Sequence, residues 1–299
     1  MRSIPLFTGT ATALVTPFTA DGAVDEVAFR RLIDYQIDHG VEALVVLGTT
    51  GENPTVTEAE RARLVEIAVE QAGGRVPVIV GTGDNDTRRS IALARQAAAA
   101  GADGQLLVGP YYNKPTQDGF RAHVAAVAGA ADLPIILYNV PGRTSFNMTA
   151  ETVLWLAEEV PLVRGIKEAS GNLVQITDLL AHRPASLAVY AGDDEMALPL
   201  AALGADGVVS VIANALPGPF GALVRAALAG NLAVARQRHF ALLPAMRACF
   251  FETNPIPIKA VLAEMGLITP ELRLPLLPAV GPTRRRVLEA FAPFLQTVA

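Results

Sequence analysis

Lys167 is placed where its amine could act as a covalent nucleophile. It closes the short run Val-Arg-Gly-Ile-Lys, in which the alternation of a β-strand puts Val163, Gly165 and Lys167 on one face. If that face is the interior of a barrel, apolar walls surround the amine, disfavour its charged form and increase its nucleophilic fraction. The alternative is a lysine that extends to solvent and pairs with a carboxylate such as Glu168.

Tyr138 and Arg143 follow another apolar run, Pro-Ile-Ile-Leu. A tyrosine at the end of a strand can move protons when a hydroxyl or an amine lies within reach. The arginine on the following loop offers two parallel hydrogen bonds to a carboxylate. Each residue alone also fits a plainer role, Tyr138 as a packing residue at a barrel rim and Arg143 as part of a surface ion pair.

A glycine-flanked turn, residues 48–52, comes after the apolar run Ala-Leu-Val-Val-Leu. Glycines on either side of Thr49 and Thr50 allow successive backbone amides to point the same way and to bind a carboxylate or a phosphate. An ordinary tight turn between a strand and a helix is the alternative. Tyr111 and Tyr112 end a further apolar run, and adjacent tyrosines in a loop are as often interface aromatics as catalytic groups.

Together these groups match the needs of imine chemistry on an α-keto acid. The lysine would attack the ketone, the turn would hold the adjoining carboxylate, and the tyrosine would move protons.

Metal, thiol and serine chemistry have weak support, and no metal is expected. The four histidines lack ligand spacing and fall in helix-like stretches: His39, His123, His182 and His239. The acidic run 193–195 could bind a hard cation, but a solvated loop is the favoured interpretation. The single cysteine, Cys249, has apolar neighbours that indicate a buried thiol. No nucleophile elbow supports a Ser/His/Asp site.

Eight short runs rich in Val, Ile and Leu alternate with helical patterns along the chain. Their starts lie roughly 20 to 35 residues apart, which is the length of one strand–helix unit. They begin near Thr10, Ala43, Val78, Gln105, Pro134, Val163, Leu187 and Gly207. Thr57 and Glu60 have the spacing of a capping box at the start of one helix. Nearly continuous apolar strands indicate a sheet that is covered on both faces.

A parallel (β/α)8 barrel, an α/β fold, accounts for eight such units better than an open sheet. A dinucleotide-binding sheet would show G-x-G-x-x-G after its first strand, and the register that begins at Gly81 fails at Asp86. Residues 1–230 are predicted to form the barrel, and residues 231–299 a C-terminal helical extension packed on it. In such barrels the active site lies at the carboxyl ends of the strands, where the candidate residues fall.

Composition limits the compartment and the partners. The chain has 299 residues, of which 51% are hydrophobic and 18% charged, and this excludes intrinsic disorder. The formal net charge of −5 disfavours nucleic acid and anionic membranes as general partners. Pro5 and Gly9 interrupt any signal-peptide core, and no apolar run suits a membrane span. With a single cysteine, these features predict a cytoplasmic protein.

Six motifs occur in order along the chain. They are G-T-T-G-E (48–52), P-Y-Y-N-K-P (110–115), Y-N-V-P-G-R-T (138–144), G-I-K-E-A-S-G-N (165–172), G-D-D (192–194) and N-P-I-P-I-K (254–259). In this order they closely resemble the motifs of the dihydrodipicolinate synthase family of pyruvate-dependent class I aldolases, over essentially the whole chain. The resemblance implies a TIM barrel and a Schiff-base-forming lyase of lysine and diaminopimelate biosynthesis.

The resemblance also implies the catalytic residues. Lys167 matches the lysine that forms the Schiff base with pyruvate. Tyr138 matches the tyrosine that relays protons, and Thr49 and Tyr112 match the other members of the hydroxyl relay. Tyr111 matches a tyrosine that a neighbouring subunit supplies, which implies a homotetramer built as a dimer of dimers.

The substrate-binding residues come from the same resemblance. Thr50, with Thr49, matches the site of the pyruvate carboxylate, and Arg143 matches the residue that holds the carboxylate of L-aspartate 4-semialdehyde. Gly192 and Val209 match positions that line the pocket. The implied product is 4-hydroxy-tetrahydrodipicolinate, and no cofactor is expected because the lysine supplies the covalent electron sink.

Two other functions stay open at this point. A related aldolase or lyase acting on a keto-deoxy sugar acid or on N-acetylneuraminate would share the lysine, the tyrosine and the turn, whereas Arg143 favours a compact carboxylated aldehyde. A non-catalytic sensor of keto acids would keep the barrel without turnover. The intact set of Lys167, Tyr138, Thr49 and Tyr112 disfavours the sensor.

The chain departs from the family pattern at the regulatory site. Lysine-inhibited bacterial members have histidines in the region of Glu58 and Arg61 and a glutamate at the position of Arg89, whereas Asn85 and Tyr111 are retained. A cation at position 89 would repel the amino group of lysine and remove its acceptor. We therefore expect weak or absent inhibition by L-lysine, and a sharp loss of activity at millimolar L-lysine would contradict this.

Overall fold

Eight parallel strands close into a barrel, which confirms the (β/α)8 fold. The computed structural model describes residues 5–295. The strands are β1 (Gly9–Ala13), β2 (Ala43–Val46), β3 (Val78–Gly81), β4 (Gly104–Val108), β5 (Ile135–Asn139), β6 (Val163–Glu168), β7 (Ala188–Ala191) and β8 (Gly207–Ser210). Each begins within one residue of its predicted start, and the strands pair in chain order until β8 closes against β1.

Helices cover the outside of the barrel and continue beyond it. They are α1 (Glu26–Asp38), α2 (Glu58–Ala72), α3 (Thr87–Ala99), α4 (Gln117–Ala128), α5 (Pro141–Thr144), α6 (Ala150–Glu159), α7 (Leu173–His182), α8 (Ala197–Ala202), α9 (Pro217–Leu228), α10 (Leu232–Ala248), α11 (Ile256–Glu264) and α12 (Gly281–Leu295). The predicted capping box is present at α2, where the hydroxyl of Thr57 accepts from the Glu60 amide and the Glu60 carboxylate accepts from the Thr57 amide. Among residues 5–295, no helix has both the length and the apolar character that a membrane crossing requires.

A compact apolar layer fills the barrel beneath the carboxyl ends of its strands. It includes Ala11, Val45, Ile79, Leu106, Ile136, Tyr190 and Val209. The Tyr190 ring stacks on Phe7 with 4.2 Å between ring centroids, and its hydroxyl donates to the Phe7 carbonyl oxygen at 2.9 Å. The barrel is therefore a packed core rather than a channel, and a larger apolar layer lies between the strands and the helices.

Strand β6 contains an irregularity that corrects one sequence prediction. Ile135 pairs with Val163, but Ile136 pairs with Gly165, so Arg164 is an extra residue in β6. Because of this bulge, Val163 packs in the layer outside the barrel, whereas Gly165 and Lys167 face the interior. The prediction that Lys167 shares its face with Gly165 is confirmed, and the inclusion of Val163 in that face is wrong.

Within residues 5–295, three helices follow the helix that completes the barrel. Helix α10 packs against α8 and α9, and α12 packs against α10 and α11. Cys249 caps the end of α10 and is fully buried, as its apolar neighbours predict. The predicted boundary at residue 230 falls between α9 and α10. Residues 1–4 of the first predicted range and residues 296–299 of the second lie outside the described residues.

Candidate active site

The carboxyl ends of β2, β5, β6 and β7 meet around a cavity of about 140 Å³. Six residues proposed from the sequence line it: Thr49, Thr50, Tyr138, Arg143, Lys167 and Gly192. Its position agrees with the location of active sites in barrels of this kind. The volume lies below the roughly 300–1,000 Å³ of pockets for drug-sized ligands, so the cavity suits small substrates.

Lys167 extends from β6 to the wall of this cavity and is 5% exposed. Its direct cross-strand neighbour is Tyr138 on β5, and the Lys167 Nζ lies 4.2 Å from the centre of the tyrosine ring. Within the described part of the chain, Lys167 forms no ion pair with a carboxylate. The amine is therefore buried beside a phenol at the wall of the cavity.

Glu168, the suggested ion-pair partner of Lys167, faces the opposite side of β6. Its carboxylate accepts hydrogen bonds from the Ser170 amide at 2.7 Å and from the Asn139 side-chain nitrogen at 3.1 and 3.2 Å. Burial raises the pKa of Glu168, and these hydrogen bonds oppose the rise. The alternative interpretation of Lys167 as the partner of Glu168 is therefore wrong.

Gly192 allows the backbone after β7 to pass close to Lys167. A Cβ atom at this position would lie 2.7 Å from the Cβ of Ala169 and 3.1 Å from the Cε of Lys167. Real Cβ atoms do not approach neighbours this closely, so any side chain at position 192 would displace the lysine or the adjoining loop. Gly192 therefore contributes to the site by leaving space for the amine.

The turn after β2 places Thr49 and Thr50 at the cavity. Residues Thr49–Gly51 form a 3-10 turn, in which the Gly51 amide donates to the Gly48 carbonyl oxygen at 3.1 Å. The amides of Thr49 and Thr50 stand at the start of the turn and have no acceptor within it. The binding of a carboxylate by these two amides, which the glycine pattern predicts, stays a prediction.

Arg143 reaches the cavity from the short helix α5, and its side chain is exposed. One guanidinium nitrogen, Nη2, donates to the backbone carbonyl oxygen of Asn254 at 3.4 Å. Arg143 forms no ion pair with any carboxylate of residues 5–295, so the alternative of a surface ion pair does not apply. Its remaining N–H groups can bind the carboxylate of a substrate.

Comparison with known proteins identifies the family. The model of the dihydrodipicolinate synthetase family matches residues 6–291. The chain belongs to this family. A relative from Salinibacter ruber named 4-hydroxy-tetrahydrodipicolinate synthase is 66% identical over 96% of this chain and 95% of its own length. A relative from Thiobacillus denitrificans with the same name is 51% identical over 94% of this chain and 95% of its own length. The crystal structure of dihydrodipicolinate synthase from Thermotoga maritima superposes with a TM-score of 0.94 at 44% identity, covering 96% of this chain and 98% of that one.

Three residues that the family resemblance places in the site do not line the cavity in the single chain: Val209, Tyr111 and Tyr112. Val209 is fully buried in the barrel interior, and Val211, two residues further along, lines the cavity instead. The alternation of β8 directs Val209 into the barrel interior below the cavity, and Val211, the N-cap of the 3-10 turn that follows the strand, lies at the cavity wall.

The two tyrosines differ in a way that sequence does not reveal. Tyr112 is 91% exposed and has a left-handed backbone with φ of 71°, so its side chain projects from the surface. Tyr111 is half-buried. Its burial, and to a smaller extent the negative charge of the Asp84 carboxylate, raises its pKa. Its carbonyl oxygen accepts a hydrogen bond from the Asn85 side chain at 3.2 Å. Tyr112 is therefore much more exposed on the single chain than Tyr111, whereas the family resemblance assigns the intersubunit role to Tyr111.

The residues of the suspected regulatory site are close together. Arg61 is buried and donates from Nη2 to the Gly81 carbonyl oxygen at 2.6 Å, and the Arg89 Nε lies 3.4 Å from the Asp84 carboxylate. Burial, followed by the charge of Arg89, lowers the pKa of Arg61 to about 10. The insensitivity to L-lysine stays a prediction, and the proximity of these two cations supports it.

The acidic run 193–195 is not a solvated loop throughout, which corrects the favoured sequence interpretation. Asp194 is buried, and its Oδ2 accepts hydrogen bonds from the backbone amides of Ile212 at 2.8 Å and Val211 at 3.2 Å. Its Oδ1 has no partner among the described residues. Asp194 therefore holds the turn after β8, and no local sequence pattern identifies this contact. Burial raises the pKa of Asp194 from 3.8 to about 6.

We expect Asp194→Asn to make the free energy of unfolding less dependent on pH. Because the folded pKa lies above the unfolded value, the wild-type chain binds more protons when folded than when unfolded between about pH 4 and 6, and its stability falls as the pH rises through this window. The rise corresponds to about 3 kcal/mol, and the amide oxygen of asparagine can still accept both backbone bonds. Urea unfolding measures the free energy of unfolding at pH 4.5 and at pH 7.5. Between these two values, the variant should gain about 2 kcal/mol of this free energy relative to wild type. The exposed control Asp132→Asn should show no such gain, and an equal effect of Asp194→Asn at both pH values would contradict the prediction.

Sequence reasoning missed two residues of the cavity wall that come from the C-terminal extension. Phe250 and Asn254 both line the cavity and precede α11. Asn254 opens the motif N-P-I-P-I-K, and this motif has a lysine, Lys259, in an otherwise apolar segment. Such an isolated charge in an apolar run was the available signal that this segment has a specific partner.

Proposed function

We propose that this enzyme condenses pyruvate with L-aspartate 4-semialdehyde to give 4-hydroxy-tetrahydrodipicolinate, in lysine and diaminopimelate biosynthesis. The observation that carries the proposal is the unpaired amine of Lys167 in a small cavity, beside Tyr138 and facing the turn of Thr49 and Thr50. The relatives named 4-hydroxy-tetrahydrodipicolinate synthase support the choice of substrates.

The amine of Lys167 would start the reaction by attacking the ketone carbon of pyruvate. Loss of water then leaves an iminium, which withdraws electrons from the neighbouring methyl group. The phenol of Tyr138, adjacent to the amine, would carry the proton removed from that methyl group, with Thr49 as the next hydroxyl of the relay. The resulting enamine is a carbon nucleophile, and the imine supplies the electron sink that a cofactor supplies in other enzymes.

The enamine carbon would attack the aldehyde carbon of the second substrate and form the new C–C bond. The C=O π bond opens, its oxygen takes up a proton to become the hydroxyl group of the product, and the lysine nitrogen is again an imine nitrogen. The amino group of that substrate then attacks the imine carbon, which closes the ring and releases Lys167 as the free amine. The amides of Thr49 and Thr50 would hold the carboxylate of pyruvate, and Arg143 would hold the carboxylate of the semialdehyde. With the two carboxylates held at the wall of the same cavity as the lysine, both reactants would be oriented for bond formation.

We also propose that the enzyme works in the cytoplasm as a homotetramer, a dimer of dimers. The exposed side chain of Tyr112 supports this, because a projecting aromatic residue on a left-handed backbone suits insertion into a neighbouring subunit. In that arrangement Tyr112 would complete the relay of the adjacent active site, and Tyr111 would stay within its own subunit.

Turnover assays test the proposed function. Consumption of pyruvate that depends on L-aspartate 4-semialdehyde is expected, and cleavage of N-acetylneuraminate or of a keto-deoxy sugar acid is not. Activity with a sugar acid and none with the semialdehyde would replace the proposal with the related aldolase, and absence of both would favour a binding protein.

Arg143→Ala should separate the two substrates. Loss of the guanidinium removes the proposed contact with the semialdehyde, so its KM should rise on the order of 10²-fold, as expected for charged hydrogen bonds. Pyruvate should still form an adduct that borohydride reduces, because Lys167 and the turn at Thr49 are intact. Arg236→Ala, an exposed arginine on α10, provides the control. Equal weakening of both substrates by Arg143→Ala would contradict the assigned role.

A further inference from the structure

Asn254 connects the C-terminal extension to the turn after β2. Its side-chain nitrogen Nδ2 donates a hydrogen bond to the Thr50 Oγ1 at 2.9 Å, between residues 204 positions apart in the chain. Asn254 is 5% exposed and lines the cavity with Thr50. Its backbone carbonyl oxygen is also the acceptor for Arg143. One residue therefore contacts both of the groups proposed to bind carboxylates.

We propose that Asn254 is a positioning residue, which turns the hydroxyl hydrogen of Thr50 toward the carboxylate of bound pyruvate. This inference rests on the proposed function. A threonine hydroxyl has one hydrogen to donate and two lone pairs that accept. The amide of Asn254 occupies a lone pair, so the hydrogen is available to another acceptor, and Thr50 donates it to no acceptor in residues 5–295.

A second contact joins the segment that contains Asn254 to the same turn. Lys259, on α11, is fully buried and forms an ion pair with Glu52, which follows Thr50 by two residues. The Nζ of Lys259 also donates to the Glu271 carbonyl oxygen at 2.8 Å. The start of α11 is thus attached to the turn at two points, so the position of Thr50 depends on a segment more than two hundred residues away.

The side-chain oxygen of Asn254 indicates that packing alone does not account for an asparagine at this position. Its Oδ1 is buried and has no hydrogen-bond partner in the part of the chain that the structure describes. A buried amide with an unsatisfied oxygen is unfavourable for folding. The residue is therefore better explained by what its Nδ2 does at the cavity than by a contribution to stability.

Replacing Asn254 with aspartate and with alanine distinguishes positioning from a structural role. Aspartate has the same shape but cannot donate, so it would accept the Thr50 hydrogen and turn the hydroxyl lone pairs toward pyruvate. Alanine would merely release the hydroxyl. The apparent Kd of pyruvate, measured from the concentration dependence of borohydride trapping, should rise about tenfold or more for Asn254→Asp and less for Asn254→Ala. A structural role predicts the opposite order, because aspartate preserves the packing.

A cycle with Thr50→Val shows whether the effect passes through the hydroxyl. In the Thr50→Val background, Asn254→Ala should not change the Kd further, and most of the penalty of Asn254→Asp should disappear. Circular dichroism and thermal unfolding of each variant verify the fold. Equal effects in both backgrounds, or a weaker effect of aspartate than of alanine, would overturn the inference.

The same measurements separate this inference from the proposed function. If the wild-type protein forms no reducible adduct with pyruvate, the proposed function and the inference both fail. If the wild-type adduct forms at Lys167 and the Asn254 variants keep the wild-type Kd, only the role of Asn254 is wrong.

Discussion

Replacement of Lys167 by arginine is expected to abolish adduct formation with pyruvate and to lower turnover by on the order of 10³-fold or more. Arginine is a basic side chain of comparable size, but its guanidinium does not form an imine. The substitution therefore removes the nucleophile while most of the volume of the side chain is retained. Measurement requires borohydride reduction with pyruvate, peptide mass mapping, and a turnover assay with both substrates.

The small number of lysines makes the mapping decisive. The chain contains only Lys114, Lys167 and Lys259. Lys259 is as buried as Lys167, but its Nζ is occupied by the Glu52 carboxylate and the Glu271 carbonyl oxygen and lies 4.3 Å from the centre of the Phe18 ring. Burial by itself therefore does not select the reactive amine, and access to the cavity does. An adduct on Lys114 or Lys259 in the wild-type protein would contradict the mechanism.

The barrel was predictable because each strand–helix unit is marked locally. Apolar runs, glycines and caps repeat along the chain, and because active sites in such barrels lie at the carboxyl ends of the strands, only a few positions are candidates. Tyr138 and Lys167 are two of these positions, and the structure places them opposite each other on neighbouring strands.

The remaining features depend on contacts between distant parts of the chain. The bulge at Arg164 changes the face of Val163, and strand alternation alone does not show such an insertion. Asp194 is buried because it accepts the amides after β8, although its acidic neighbours suggest a solvated loop. The exposure that distinguishes Tyr111 from Tyr112 comes from a left-handed turn, which a tyrosine pair does not signal.

Two buried lysines with different partners have different roles in this fold. Lys167 has no carboxylate partner in the described residues and faces a cavity, whereas Lys259 joins the C-terminal extension to the turn beside that cavity. Burial lowers the pKa of Lys259 to about 8, and the Glu52 carboxylate opposes this effect. The ammonium and the carboxylate have both lost most of their water, so each depends strongly on the other.

Lys259→Met is therefore expected to reduce the free energy of unfolding by about 3–5 kcal/mol, because it leaves Glu52 buried without its counter-ion. Combining it with Glu52→Gln should recover a large part of this loss, since the double variant has no buried charge at either position. Urea unfolding of the two single variants and the double variant measures the coupling. Lys114→Met, at an exposed lysine, should change stability by less than about 0.5 kcal/mol. The prediction is contradicted if the double variant loses as much free energy of unfolding as the two single variants together. In that case the ion pair does not attach α11 to the turn, and the contact of Asn254 with Thr50 holds that segment alone.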